Sequence, residues 1–336
     1  MSSLPSIAIV GATGAVGEAL VALLEERDFP LSSLYLLSSA ESAGKSLPFR
    51  GKNLRVGVAE TFDFKQVAVT FLAANQEVSQ VIADRAFQAG SSIVDLSGAL
   101  EASISPRVIP GVNDQVLNLL PKPWRVSIPC SPAAALVSAL APLCAKTPIE
   151  YVTVTACLPA SGRGRAGVRE LARQTTELLN GRSIEPRVFG RQLAFNILGL
   201  AGNQQENGYS QIERRLIEDS QHILGKSLGI VSATCIQVPV FYGESLAVTL
   251  KTQSALTIKE LNLAYSGIQN LELFEADEYP TAVEDSIGRD ETLIGRMRQH
   301  PSDGHVIEMW IVSDNVRRSA ALNAIQTAEL LIKHTS

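Results

Sequence analysis

Histidine, cysteine and aromatic side chains are scarce in this sequence, and blocks of positive charge and long apolar runs are missing from it. Four histidines (His222, His300, His305, His334) are scattered along 336 residues, and the four cysteines (Cys130, Cys144, Cys157, Cys235) show neither paired nor C-x-x-C spacing. Neither a disulfide framework nor a metal site is expected from that distribution. Lys and Arg number 29 against 34 Asp and Glu, a net charge of -5. A nucleic-acid surface needs clustered cations against the phosphates, so nucleic acid is not an expected partner. No apolar stretch approaches the roughly 20 residues needed to cross a bilayer. The run into Ile7-Ala8-Ile9-Val10 lacks the basic and long apolar segments of a secretory leader. A cytoplasmic protein without a membrane partner is therefore expected.

What is present reads as a well-packed globular chain. Hydrophobic residues make up 46% and charged residues 19%, a balance able to bury a large core, and the length favours two domains. Short apolar runs at Ser6 to Val10, Leu34 to Leu37, Val67 to Ala73 and Ser92 to Leu96 alternate with helical periodicity at Gly17 to Glu26 and Val78 to Ala89. Such alternation implies a parallel sheet covered on both faces. Pro110, Pro121, Pro123 and Pro129 punctuate a loop-rich passage before the helical Ala133 to Cys144. Beyond it, segments such as Tyr151 to Thr155, Ile230 to Val240, Ser245 to Thr252 and Val306 to Val312 are longer and more β-branched, as in a mixed or antiparallel sheet. The Ala- and Leu-rich Ala320 to Lys333 suits a helix packing back on the first domain. The expected fold class is α/β, a Rossmann-type parallel-sheet nucleotide-binding domain plus an α+β domain. The expected boundaries are 1–130 with 316–336 packing back, and 131–315.

Gly11-Ala12-Thr13-Gly14-Ala15-Val16-Gly17 lies where the first strand feeds the first helix. Glycines there let the backbone approach a pyrophosphate, and the helix N-terminus offers free N–H groups and partial positive charge. A purely structural turn is the alternative, and the strand before and helix after favour a nucleotide over it. At the tip of the second strand, the hydroxyls of Ser38 and Ser39 could accept a 2′-phosphate, which favours NADP. Glu41 would repel that phosphate, so NADP and NAD both stay open. Cys130, in Ser127-Ile128-Pro129-Cys130-Ser131-Pro132, stands at the start of an apolar helix. Such a position lowers a thiol's pKa and makes Cys130 the candidate nucleophile, with a small buried hydrophobe as the alternative.

Over nearly its whole length the sequence resembles the aspartate-semialdehyde dehydrogenase family. The motifs that carry the resemblance include Gly11 to Gly17, Val94-Asp95-Leu96-Ser97, Pro110-Gly111-Val112-Asn113, Cys130-Ser131, Ser161-Gly162-Arg163-Gly164, Asn207-Gly208-Tyr209-Ser210, Val238-Pro239-Val240-Phe241-Tyr242-Gly243 and Asp314-Asn315-Val316-Arg317. The resemblance implies a homodimer whose second domain carries the catalytic residues and the dimer interface. It also implies reversible NADPH-dependent reduction of aspartyl phosphate to the semialdehyde, in amino-acid biosynthesis, through a thioester on Cys130. N-acetyl-glutamyl-phosphate reductases share this architecture. The cofactor set implied is Gly11, Thr13, Gly14, Ala15, Val16, Ser38, Ser39, Ser161, Gly162 and Asn315, and Glu213 matches an acidic residue that binds the substrate's amino group.

At other positions the family pattern breaks. The family's histidine base is Glu244 here, its substrate-carboxylate arginine is Gln237, its phosphate-binding arginine is Glu101, and a lysine is Gln211. The family's asparagine before the cysteine is Pro129, and its glutamine three residues before Ser161 is Leu158. An ionised Glu244 accepts a proton but cannot stabilise a thiolate as an imidazolium does. Each lost charge-assisted contact to a polyanionic substrate costs about 1.5–3 kcal/mol. The sequence therefore reads first as a catalytically impaired, Usg-type relative of the enzymes. An active NAD(P)-dependent oxidoreductase on a less anionic aldehyde or acyl substrate, with Cys130 and Glu244 as nucleophile and base, is the second reading. A non-enzymatic, partner-binding dimer is the third.

Overall fold

The computed structural model describes residues 4–333, which divide into two compact units. One runs up to Pro129 and resumes at Ala320; the other is Cys130–Ser319.

The first unit is a seven-stranded sheet in the order β3-β4-β2-β1-β5-β6-β7. Its strands are β1 (Ser6–Val10), β2 (Ser33–Ser38), β3 (Ser46–Phe49), β4 (Lys52–Val58), β5 (Val69–Leu72), β6 (Ser92–Asp95) and β7 (Arg125–Ser127). All neighbours pair in parallel except β3 with β4. Successive side chains of β1 point to opposite faces, and both faces are covered. Ile7 and Ile9 pack with Leu20, Leu23 and Leu24 of α1 (Ala15–Glu26). Ala8 and Val10 pack with Ile82, Ala83 and Ala86 of α2 (Gln76–Gln88). Two covered faces explain why these strands read as continuous apolar runs. The antiparallel β3–β4 pair escaped the sequence reading because it carries Pro48 and the polar Lys52-Asn53, composition tolerated at a sheet edge.

The second unit opens with α3 (Ser131–Cys144), apolar on every side and buried for most of its length, as a helix without a polar face must be. It packs against a six-stranded mixed sheet in the order β11-β12-β13-β10-β8-β9. The strands are β8 (Ile149–Leu158), β9 (Leu228–Gln237), β10 (Glu244–Thr252), β11 (Leu271–Leu273), β12 (Thr292–His300) and β13 (Asp303–Ser313). Helices α4 (Gly164–Leu179), α5 (Gln211–Leu224) and α6 (Ile258–Tyr265) complete it. Strict alternation along β8, β10 and β13 buries Val152, Val154, Leu246, Val248, Met309 and Ile311 beneath α3. Thr153, Thr155, Ala247, Thr249, Glu308 and Trp310 fall on the opposite face. That face borders a cavity of about 580 Å³, which the Tyr279-Pro280-Thr281-Ala282 segment also lines.

The expected closing helix begins as a π-helical turn, Arg317–Leu322, before becoming α7 (Asn323–Lys333). Its Ala324, Ile325, Ala328 and Leu331 join the α1 side of the first unit's core, and Arg27 and Glu329 pair across that contact at 3.0 Å.

Candidate active site

In the first unit the sequence folds the glycine run into a tight turn. The N–H groups of Gly11 and Ala12 both donate to the Leu37 carbonyl, at 2.9 and 3.0 Å, and Gly14 becomes the N-cap of α1. Two of the glycines are demanded by the protein's own backbone. A Cβ on Gly11, whose φ is +88°, would sit 2.6 Å from Ala73 backbone atoms, and one on Gly17 would sit 2.2 Å from the Gly11 carbonyl. Gly14 is different, because a Cβ there would meet only the Gly11 carbonyl at 3.3 Å. No side chain caps the helix at this point. An N-terminus without a side-chain cap, where a Cβ on Gly14 would meet one neighbour only, fits a bound pyrophosphate. Thr13, Ala15 and Val16 are half-buried in the same turn. Ser38 is buried and donates to the Ser39 carbonyl at 3.2 Å, whereas Ser39 is exposed.

In the second unit Ser161, Gly162 and Asn315 come together. The Asn315 amide donates to Ser161 Oγ at 3.0 Å, and its carbonyl oxygen accepts the Gly243 N–H at 3.1 Å. A Cβ on Gly162 would enter open space.

Cys130 is the N-cap of α3 and only 6% exposed. The sequence reading expected the helix N-terminus to lower its pKa; the structure reverses that expectation. Burial pushes the thiol well above its ordinary value, and the Asp219 carboxylate raises it further. Arg215 and a backbone hydrogen bond from Ala133 pull the other way without prevailing. Desolvation and a like charge disfavour the thiolate more than a helix terminus favours it. Asp219 is buried on α5 and accepts the Cys130 N–H at 2.8 Å.

Arg215 precedes Asp219 by one helical turn and so shares its face. Its guanidinium lies 3.9 Å from the Asp219 carboxylate, and its buried Nε has no hydrogen-bond partner among the described residues. The sequence reading counted the cations replaced by Gln237, Glu101 and Gln211 and missed this one. Its i, i+4 partner was the available signal.

Glu244 is fully buried and its carboxylate accepts two hydroxyls, Ser131 Oγ at 2.7 Å and Ser319 Oγ at 3.0 Å. Burial lifts its pKa to about 7 in spite of both hydrogen bonds, with Asp314 adding to the rise. Ser131 is the residue after Cys130, so Glu244 is tied to the cysteine's neighbour. Ser319 reaches it from the π-helical turn, a distortion that often marks functional positions. Glu213 is spoken for structurally. One of its oxygens closes a capping box with the Ser210 N–H at 2.7 Å, and the other accepts the Cys235 N–H at 2.9 Å. Gln237 is buried and donates to the Leu158 carbonyl at 2.7 Å. Glu101 lies in the first unit.

A Rossmann-type unit with an uncapped glycine turn, joined in sequence to a mixed-sheet unit that opens on a buried cysteine, defines a class of two-unit dehydrogenase-like proteins. Residues 6–120 match the NAD binding domain of the semialdehyde dehydrogenases and residues 140–318 match their dimerisation domain, so the chain belongs to the semialdehyde dehydrogenase family. It is 49% identical over 334 residues to a USG-1 protein homolog of Pseudomonas aeruginosa, covering 99% of each chain. It is 38% identical over 334 residues to aspartate-semialdehyde dehydrogenase 2 of Vibrio cholerae, again covering 99% of each. A solved structure described as "a probable aspartate-semialdehyde dehydrogenase from Pseudomonas aeruginosa" superposes with a TM-score of 0.97 at 49% identity, over 99% of this chain and 100% of that one. No helix among the described residues is long and apolar enough to cross a membrane.

Proposed function

We propose that this chain is a cytoplasmic homodimer that binds NADP or NAD and is catalytically impaired in the family reaction, the reduction of aspartyl phosphate to its semialdehyde. The observation that carries this reading is the state of Cys130, a thiol buried beside Asp219 and held protonated. A nucleophilic cysteine must ionise, and its usual partner, an imidazole, is replaced by Glu244. With a pKa of about 7, Glu244 is a carboxyl that is largely neutral below neutrality and negative above it. Neither form stabilises a thiolate by charge. Arg215 supports recognition of one anionic group, fewer than a polyanionic acyl phosphate presents.

The NADP or NAD assignment rests on the Gly11 to Val16 turn, with Ser38 and Ser39 as ribose-side groups and Ser161, Gly162 and Asn315 as a further contact set. The dimer rests on the matched dimerisation domain and on the open cavity that Thr155, Ala247 and Trp310 line on the sheet face away from α3.

Site-resolved thiol labelling tests the impairment. Iodoacetamide at pH 7.5, followed by peptide mass spectrometry, should modify half-exposed Cys144 and Cys157 no more slowly than Cys130. Cys130 reacting well ahead of both overturns the reading. Titration calorimetry should detect micromolar NADP or NAD, and heats indistinguishable from dilution for both would leave only a partner-binding dimer. A second reading is favoured by Glu244 itself, because a carboxyl near pKa 7 suits general acid–base work. It makes the chain an oxidoreductase on a less anionic aldehyde or acyl substrate, and faster Cys130 labelling is its signature.

A further inference from the structure

The geometry points to Asp219 as a positioning residue that fixes Cys130 at the head of α3 and, through its negative charge, governs whether the thiol ionises. This rests on the reading of Cys130 as a restrained nucleophile and names the group that restrains it.

Asp219 comes from α5, which lies against α3, and it is 89 residues away in sequence from the cysteine it holds. Its carboxylate takes the Cys130 backbone N–H at 2.8 Å. That N–H is the first of the donors a helix N-terminus leaves without an intrahelical partner. An anion at this point therefore does two things. It satisfies a buried donor and stabilises the N-terminus of α3 electrostatically. It also consumes the favourable field that a thiolate in the same place would otherwise enjoy, and sets a like charge beside it.

The charged and titratable groups acting on the Cys130 thiol are Asp219 and Arg215 from α5 and Cys235 from β9. From β10, Glu244 faces Ser131 and raises the pKa of Cys235. Among these, Asp219 and Arg215 have opposite effects on Cys130 and lie 3.9 Å apart, a separation that leaves their mutual neutralisation incomplete. The thiol is thus poised between an anion that suppresses it and a cation that supports it, both presented by one helix face.

The test uses the full-length protein and follows Cys130 alkylation by iodoacetamide against pH, by peptide mass spectrometry. Asp219→Asn keeps an acceptor for the Cys130 N–H but removes the charge. It should move the labelling profile to lower pH and raise the rate at neutral pH by about tenfold or more. Asp219→Glu, which keeps the charge, should give a rate at neutral pH within a few-fold of wild type. Arg215→Gln should shift the profile the opposite way. A role confined to holding the helix end would leave the pH midpoint unmoved in Asp219→Asn, and that result overturns the proposal. So does an Arg215→Gln profile that stays in place or moves to lower pH, which keeps the test decisive should Asp219→Asn not fold. Failure of the impairment reading would look different, since wild-type Cys130 would itself label rapidly at neutral pH.

Discussion

The two units build their candidate sites from different materials. The first builds its candidate nucleotide cradle from backbone, with Gly11, Gly14 and Gly17 shaping a turn and no side chain capping α1. The second builds its candidate reaction site from side chains, the buried Cys130, Asp219 and Glu244 with the partly buried Arg215 and the serine partners of Glu244. A backbone site tolerates sequence drift so long as the glycines persist. A side-chain site changes character with one substitution, because every buried charge resets the ionisation of its neighbours. Asp219 beside Cys130 is such a charge, raising the thiol's pKa while the fold and the glycine turn are left in place.

The largest effect that would sharpen this contrast belongs to Glu244. Its carboxyl is raised from 4.5 to about 7 by burial, so the folded state holds a proton that the unfolded state releases. Stability is therefore fully present below about pH 4.5 and falls as pH rises toward 7, by roughly 3 kcal/mol in all. Glu244→Gln retains hydrogen bonding to Ser131 and Ser319 without ionising. Denaturant unfolding should find the variant gaining up to that amount at pH 8 relative to wild type, with the difference shrinking toward pH 5. Equal differences at both pH values would mean that Glu244 does not titrate between them.

The glycines come next. Gly17→Ala forces a Cβ to within 2.2 Å of the Gly11 carbonyl and should cost about 1–3 kcal/mol, read as a lower Tm. Gly14→Ala meets one contact at 3.3 Å and should lower Tm less than Gly17→Ala does, yet weaken NADP binding by about tenfold in calorimetry as the methyl group intrudes on the pyrophosphate. Comparable thermal losses in both variants would erase the distinction between a packing glycine and a binding one. The smallest effect belongs to Glu213→Gln. Weakening the capping box and the bond to the Cys235 N–H should cost about 1 kcal/mol in unfolding experiments, with no change in NADP affinity.

The same division explains what the sequence disclosed. The parallel sheet was legible from apolar runs around β1, β2, β5 and β6, because strands covered on both faces leave no polar alternation to confuse them. The edge pair β3–β4 and strand β12 were not, since Pro48 and the charged Arg296-Met297-Arg298 stretch lack an apolar period. Cys130 and Glu244 were visible as residues, but their states were not. Burial, the Ser131 and Ser319 hydroxyls and the approach of Asp219 all arise from tertiary packing. Arg215 and Asp219 sit in a helix whose charged residues look like an ordinary solvated face until α3 is packed against it. Glu213, read as a substrate ligand, has both oxygens engaged within the fold.

The central claim is that the nucleotide cradle outlasted the thiol chemistry. Phosphate-dependent reduction of NADP in the presence of aspartate semialdehyde, measured on the wild-type protein and on Cys130→Ala, tests it most directly. The account predicts equal, background rates for the two. A wild-type turnover in the ordinary enzymatic range of roughly 1–1000 per second, abolished in Cys130→Ala, would contradict it.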